Sequence, residues 1–199
     1  DDCNIYVRTQ RAGIRVMKSI RTFIEKKLRL KVNEKKSTVD RPWNCKFLGF
    51  SFTNNKAPKI RIAKQSIKRI KEKIREITSR SKPFPMELRI QKLNRYLIGW
   101  CGYFALADTK SIFEQLDGWI KRRLRMCLWK NWKKSSTKVR NLVQLGVPKW
   151  KAHEWGNTRK SYWRISKSPI LHRTLGNSYW SQLGLKSLKA RYETLRQSS

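Results

Sequence analysis

The segment from Ala63 to Ile77, AKQSIKRIKEKIREI, decides the fold because the hydrophobic period of the chain changes to 3.6 residues there. Four isoleucines lie on one helical stripe, and lysines and arginines surround them. The spacing predicts an amphipathic helix with a buried stripe consisting of Ile67, Ile70, Ile74 and Ile77. The next segment, SRSKPFP from Ser79 to Pro85, carries two prolines and is predicted to end this helix.

The chain beyond Pro85 keeps helical spacing. A short helical pattern at 135–145 is closed by Gly146, and Pro148 acts as a stop signal just beyond it. Residues 150–199 favour mixed loops and short helices. We therefore predict a mainly α-helical domain over residues 63–199. Its two long helices are marked by Leu88, Leu93, Leu97, Trp100 and Phe104, and by Ile112, Phe113, Leu116, Ile120, Leu124 and Leu128.

The chain before Ala63 has shorter and mixed patterns, which predict part of a sheet domain over residues 1–62. The fold class expected for the whole chain is α+β. In chain order the patterns are a β-prone run (Cys3–Val7), a helical stripe (Ala12–Leu28), an alternating strand (Leu28–Val32), a turn (Asn33–Lys36) and a β-hairpin (Phe47–Phe52 with Ile60–Ile62).

The charge of the chain indicates a polyanionic partner. There are 48 Lys and Arg against 13 Asp and Glu, which gives a formal net charge of +35. Nine Trp, seven Phe and six Tyr supply enough apolar bulk to exclude a disordered basic tail. A compact state with this much like charge is tolerable when nucleic acid neutralises it.

Membrane and zinc binding fit the sequence poorly. The longest apolar run, Ile98–Ala107, has about half the length that spans a bilayer, and no signal peptide is visible. The cysteines are widely spaced with no C-x-x-C pattern, which argues against a zinc site and indicates reduced thiols of a cytosolic protein. The possible zinc ligands of these two residue types are Cys3, Cys45, Cys101 and Cys127 together with the two histidines, His153 and His172.

Adjacent carboxylates, Asp1 and Asp2, precede the first β-prone run. Two such side chains at a turn between strands are hard oxygen ligands that could hold Mg²⁺ in a polymerase palm. The same dipeptide is also common on protein surfaces. The pair alone therefore decides nothing.

Three short motifs follow one another in the front part of the chain: Asp1-Asp2, Asn33-Glu-Lys-Lys-Ser37 and Phe47-Leu-Gly-Phe50. In this order they resemble the palm of group II intron reverse transcriptases, with its Asp-Asp motif, Asn-x-x-Lys-Ser/Thr segment and Phe-Leu-Gly-Phe/Tyr primer-grip hairpin. The helical part resembles the family's thumb, the maturase-specific domain, in LNRYLIGWCGYF at 93–104, LDGWIKRRLR at 116–125, WKNWK at 129–133, WRI at 163–165 and SYWSQLGL at 178–185. The resemblance covers essentially the whole chain.

The resemblance implies roles for the palm residues. Asp1 and Asp2 would share two Mg²⁺ ions, and Lys36 would donate a proton to the leaving pyrophosphate. A structural lysine at a strand end is the alternative for Lys36. The primer grip would consist of Phe47, Leu48, Gly49 and Phe50, which can equally form a buried hairpin.

The resemblance also implies a function and partners. It implies RNA-directed DNA polymerisation, with an RNA template, a DNA primer and dNTPs, and binding of group II intron RNA to assist splicing and retrohoming. We expect a bacterial, cytoplasmic ribonucleoprotein of the type that lacks an endonuclease domain, with neither membrane nor zinc as a partner. The Tyr-Ala or Phe-Ala before Asp1, the fingers and the strand with the third aspartate are absent, so we expect a fragment that is inactive alone as a polymerase.

Several basic and aromatic residues are candidates for RNA contact, because cations attract phosphates and indoles stack on bases. Trp100 and Trp119 are expected in the core instead. A merely solvated basic face is the alternative, as are a non-enzymatic RNA-binding module and a structural basic protein of ribosomal type. The candidates are Lys68, Lys71 and Arg75 on the helix predicted between Ala63 and Ile77, and Arg122, Arg123, Arg125, Trp129, Lys130, Trp132, Lys133, Lys134 and Trp150 further along the chain.

Overall fold

The structure is a computed structural model that describes residues 3–34 and 36–197. The chain divides into two compact units, one up to Ser66 and one from Ile67 onward. The assignment of the two predicted domains to a palm and a thumb stays a prediction.

The first unit contains one long helix and a β-hairpin. Helix α1 (Gln10–Lys26) begins at Thr9, whose side-chain oxygen accepts a hydrogen bond from the Ala12 amide at 3.2 Å. Strands β1 (Phe50–Phe52) and β2 (Ile60–Ile62) are antiparallel, with Phe50 opposite Ile62. The predicted helix and hairpin are thus confirmed.

Two predicted strands of the first unit are wrong. Residues 3–7 and 28–32 have no strand structure, and no described segment pairs with either of them. An alternating pattern specifies a strand only when a neighbouring strand takes up its hydrogen bonds. Most apolar side chains of both segments are exposed instead, for example Tyr6 at 60% and Leu30 at 60%, while Val32 is half-buried.

The second unit is built from helices. The predicted helices through residue 145 are confirmed, and the tail is a series of short helices, as expected. In chain order they are α2 (Lys64–Ile77, which begins just before the unit does), α3 (Met86–Phe104), α4 (Lys110–Asn131), α5 (Ser135–Gln144), α6 (Lys149–Gly156), α7 (Tyr162–Ile165), α8 (Pro169–Thr174), α9 (Asn177–Gln182) and α10 (Leu188–Gln197).

Helix α10 joins α3 and α4 in the core of the second unit. The Tyr192 ring stacks on Phe113 with centroids 4.4 Å apart, and the Tyr192 hydroxyl donates to the Ala107 carbonyl at 2.9 Å. The buried carboxylate of Asp117 accepts hydrogen bonds from the amides of Leu188 and Lys189 at 2.9 and 3.0 Å. Asp117 therefore caps the first turn of α10 from a neighbouring helix.

Helix α5 ends as its sequence predicts. Gly146 has a φ of +84°, which side chains rarely allow. The Gly146 amide donates to the Val143 carbonyl at 2.9 Å, and the Val147 amide donates to the Leu142 carbonyl at 3.0 Å. These two hydrogen bonds form a Schellman motif. Val147 and Leu142 are both buried, so the turn that ends α5 is fixed by packing as well as by hydrogen bonds.

Candidate nucleic-acid interface

Arg125 on α4 is buried, with only 5% of its surface exposed. Its Nε donates to the Ser166 carbonyl at 2.9 Å, and its Nη1 donates to the Leu175 carbonyl at 3.3 Å. These carbonyls lie at the ends of α7 and α8, where no helical amide remains to satisfy them. Arg125 therefore holds two short helices together, and its prediction as an RNA contact is corrected.

Arg123 makes similar contacts at the end of α2. Its Nε donates to the Thr78 hydroxyl at 2.7 Å, and its Nη2 donates to the carbonyls of Thr78 and Arg75 at 3.1 and 3.4 Å. Burial of the guanidinium lowers the pKa of Arg123 from its usual value, as it does for Arg125. A cation at a helix C-terminus also stabilises the helix dipole.

The remaining cations of α4 also have partners within the protein. The Arg122 guanidinium lies 3.8 Å from the centroid of the Trp163 ring and donates to the Trp163 carbonyl at 3.3 Å. Lys130 donates to the Arg80 carbonyl at 2.8 Å, and Lys121 donates to the Asn177 side chain at 2.7 Å. The basic face of α4, defined here as Lys121, Arg122, Arg123, Arg125 and Lys130, thus links α4 to other parts of its own unit.

Two of the predicted stacking tryptophans are in the core. Trp129 is 1% exposed and Trp132 is 8% exposed, and their rings pack at a centroid distance of 5.7 Å. A base cannot reach either ring in this packing. Their assignment to RNA contact is therefore corrected, because flanking lysines do not prevent a helix from burying its indoles.

The cations of α2 vary in their surroundings. Lys68 is exposed and lies 4.0 Å from Glu72, while Lys71 is half-buried. The Arg75 guanidinium lies 5.5 Å from the Trp119 centroid, and Arg123 lies 5.6 Å from the same ring. Trp119 is half-buried between the two guanidinium groups.

Exposed cations also occur further along the chain, in a region where acidic residues are scarce. Residues 118–192 hold 19 Lys and Arg but only one acid, Glu154. Within the described part of the chain, no ion pair involves a residue between 115 and 188. We use the term open cations for the exposed basic residues from Lys133 to Arg173 whose side chains make no hydrogen bond, ion pair or ring contact with another described residue: Lys133, Lys134, Arg140, Lys149, Arg159, Arg164, Lys167 and Arg173.

Exposed aromatic rings lie among the open cations. Trp150 on α6 is 68% exposed, and Trp163 on α7 is 36% exposed. Helix α6 is held firmly against α5, because Gly156 lies so near Val139 that an added Cβ would come within 2.6 Å of a Val139 methyl carbon. The indole of Trp150 is thus presented to solvent from a packed helix rather than from a loose loop.

The sequence model of the group II intron maturase-specific domain matches residues 67–146. These residues, which extend from α2 through α5, are therefore similar in sequence to that domain. A search of curated proteins found no match. In the described residues, no helix combines the length and apolar character needed to cross a membrane.

The matched residues 67–146 contain the basic face of α4 and three of the open cations. The other open cations and Trp150 follow the matched residues, on α6 to α8 and the loops between them. The near absence of acidic residues after Asp117 is the direct signal in the sequence for these open cations. The prediction of Arg122, Arg123 and Arg125 as RNA contacts rests on local charge density, which does not use this signal.

The palm residues predicted ahead of the maturase-specific domain have different outcomes. Asp1 and Asp2 lie outside the described residues, so their metal role stays a prediction. Lys36 is exposed, and its amide donates to the Asn33 carbonyl at 3.1 Å, which confirms the predicted turn but not a catalytic role. No cluster of three or more potential metal ligands occurs in residues 3–34 and 36–197.

The predicted primer grip forms a tight turn. Leu48 and Gly49 have φ values of +49° and +82°, as a type I′ turn requires, and Phe47 and Phe50 exchange two backbone hydrogen bonds. Leu48 is 58% exposed at the tip. The Gly49 carbonyl accepts from the Ala63 amide at 2.9 Å and the Ser66 hydroxyl at 3.0 Å, so this turn is fixed to the start of α2.

Proposed function

We propose that this chain binds group II intron RNA through the open cations and Trp150, and thereby stabilises the folded intron for splicing. The supporting observation is the set of exposed cations between Lys133 and Arg173, whose only neighbouring acid in sequence is Glu154. Cations without carboxylate partners attract phosphates strongly, because no internal ion pair has to be broken first. The match to the maturase-specific domain supports intron RNA as the polyanion.

The exposed indole of Trp150 supports contact with unpaired nucleotides as well as phosphates. Base–aromatic stacking needs an accessible ring face, and Trp150 offers one between Lys149 and Lys151. Lys151 lies 5.3 Å from the Trp150 centroid. This binding activity requires no metal chemistry, so it holds equally for a non-enzymatic RNA-binding module and for the maturase part of a reverse transcriptase.

Lysine acetylation tests this proposal directly. The chain is treated with an amine-reactive acetylating reagent, free and bound to group II intron RNA, and modified lysines are measured by mass spectrometry. We expect RNA to protect Lys133, Lys134, Lys149 and Lys167. Lys110 and Lys189 serve as controls, since each is ion-paired, to Glu193 at 2.7 Å and Glu114 at 3.1 Å. Unchanged reactivity of the four lysines would refute the proposed surface.

RNA-directed DNA polymerisation is proposed for the complete protein on the resemblance of its palm motifs. Asp1 and Asp2 would hold Mg²⁺, because their carboxylate oxygens are the ligands that Mg²⁺ prefers. Lys36 would donate a proton to the leaving pyrophosphate. The template–primer duplex and dNTPs are the corresponding partners. In the complete protein, Asp1→Ala should abolish cDNA synthesis while intron RNA binding is retained. Full residual synthesis would exclude the metal role.

A further inference from the structure

A groove of about 660 Å³ opens between α2 and α3 within the second unit. Its volume lies in the range typical of small-ligand sites, roughly 300–1,000 Å³. None of the open cations contributes to it. The lining residues are Lys73, Glu76 and Ile77 from α2, Lys82 and Phe84 from the connection, and Lys92, Arg95, Tyr96, Gly99 and Trp100 from α3.

The groove is strongly positive. Its four cations face a single carboxylate, Glu76, which pairs with Lys73 at 2.8 Å and Lys82 at 3.5 Å. The hydrogen bond from Lys73 lowers the pKa of Glu76, so this carboxylate is ionised and already shared. Lys92 and Arg95 have no acidic partner among the described residues. Lys92 and Arg95 can therefore bind an anion in the groove without first breaking an ion pair with a carboxylate.

Aromatic rings form the apolar part of the groove. The Lys92 ammonium lies 4.2 Å from the Phe84 centroid. The Trp100 ring packs against the rings of Phe104 and Phe113, with centroid distances of 4.7 and 5.6 Å. Phe84, Tyr96 and Trp100 are each half-buried, so each keeps part of its surface open. Aromatic surface beside free cations suits a base attached to a phosphate.

Gly99 lines the groove without adding a side chain to it. A Cβ added at Gly99 would have no heavy atom within 4 Å, although the residue lies in the middle of α3. A glycine inside a helix costs roughly 0.5–1 kcal/mol relative to alanine, and no close packing at Gly99 offsets this cost.

We propose that this groove receives an unpaired nucleotide of the bound RNA, with its base against the aromatic surface and its phosphate between Lys92 and Arg95. The inference rests on the proposed RNA-binding function and specifies a second contact for it. A base in a duplex cannot enter, because both of its faces are stacked on neighbouring base pairs. The groove would thus distinguish single-stranded from paired RNA.

Filling the groove tests the proposal. In the full chain, Gly99→Phe should weaken binding of a single-stranded 10-nucleotide oligo(U) by roughly 5-fold or more, as expected for the loss of one stacked base. Binding of a blunt RNA duplex of the same length should change less than about twofold. Gly102→Phe is the matched control, since Gly102 is on the same helix, has equally open surroundings and does not line the groove.

Two further variants separate a filled groove from a damaged fold. Gly99→Ala leaves most of the groove open and should bind oligo(U) as the parent chain does, and circular dichroism should show equal helix content in all the glycine variants. Arg95→Ala should weaken oligo(U) binding and lower the slope of log affinity against log salt by roughly 0.7, the value for one phosphate contact in a single strand.

The outcomes also separate the two proposals. If Gly99→Phe binds oligo(U) as the parent does, or loses oligo(U) and duplex equally, the groove proposal is overturned. The groove proposal is also overturned if Gly102→Phe loses as much affinity for oligo(U) as Gly99→Phe does, or if the parent chain binds intron RNA but not oligo(U). In all these cases the proposed RNA-binding function stands. If the parent binds neither, both fail.

Discussion

Helix α4 and the region from Lys133 to Arg173 are both rich in cations, but they use them differently. Every member of the basic face of α4 donates to a protein group, and the acceptors are mostly main-chain carbonyls at the ends of other helices. The open cations have no such partners among the described residues. Charge density along a sequence therefore does not distinguish a cation that holds the fold from one that is available to RNA.

The buried cations explain how a chain with net charge +35 builds a core. A guanidinium carries five donors in a planar arrangement, so one arginine can satisfy several helix-end carbonyls that would otherwise be unpaired. Arg89 does the same on α3, where it is 1% exposed and donates to the carbonyls of Ile77, Ser79 and Lys82. Arg89 thus holds three carbonyls at the end of α2 and in the α2–α3 connection, and Arg123 and Lys130 hold further groups there.

The largest effect that would sharpen this comparison is on stability. Arg125→Ala should lower the free energy of unfolding by about 3 kcal/mol, because it removes the guanidinium donor from the Ser166 carbonyl and creates a cavity. The Leu175 carbonyl keeps its hydrogen bond from the Trp180 indole at 2.9 Å. Urea denaturation measures this change. Arg164→Ala is the matched control, since Arg164 is an exposed open cation, and we expect a change within about 0.5 kcal/mol.

The same two variants should respond in the opposite order to RNA. Folded Arg125→Ala should keep the parent affinity for intron RNA, and Arg164→Ala should lose affinity at low salt. If Arg125→Ala is as stable as the parent but binds RNA poorly, the division between fold-holding and RNA-binding cations is incorrect.

The long helices could be predicted from the sequence because the information is local. A stripe such as Ile70 and Ile74 is buried wherever the helix packs, so periodicity alone identifies it. The glycine at 146 is similarly local, because a C-terminal turn needs positive φ within a few residues. The strands predicted at 3–7 and 28–32 failed because strand pairing depends on distant segments that periodicity does not describe.

The candidate site was harder to predict for the same physical reason. Whether Arg125 meets phosphate or carbonyl depends on where the ends of α7 and α8 lie, which is a non-local property. Trp129 and Trp150 have similar lysine-rich neighbours, yet one is 1% and the other 68% exposed. The capping role of Asp117 was likewise not signalled by the sequence, since its partners are some 70 residues away.

The smallest expected effect gives the most direct test of whether the open cations bind RNA. Two double variants are compared, and each removes two positive charges. The first combines Lys133→Ala with Lys134→Ala, which are open cations. The second combines Lys110→Ala with Lys189→Ala, whose lysines are ion-paired to Glu193 and Glu114. The measurement is the slope of log affinity for intron RNA against log salt. The first double variant should lower the slope by roughly 1.4–1.8, the value for two phosphate contacts, and the second should leave it unchanged. Equal slopes for the two double variants would contradict the account.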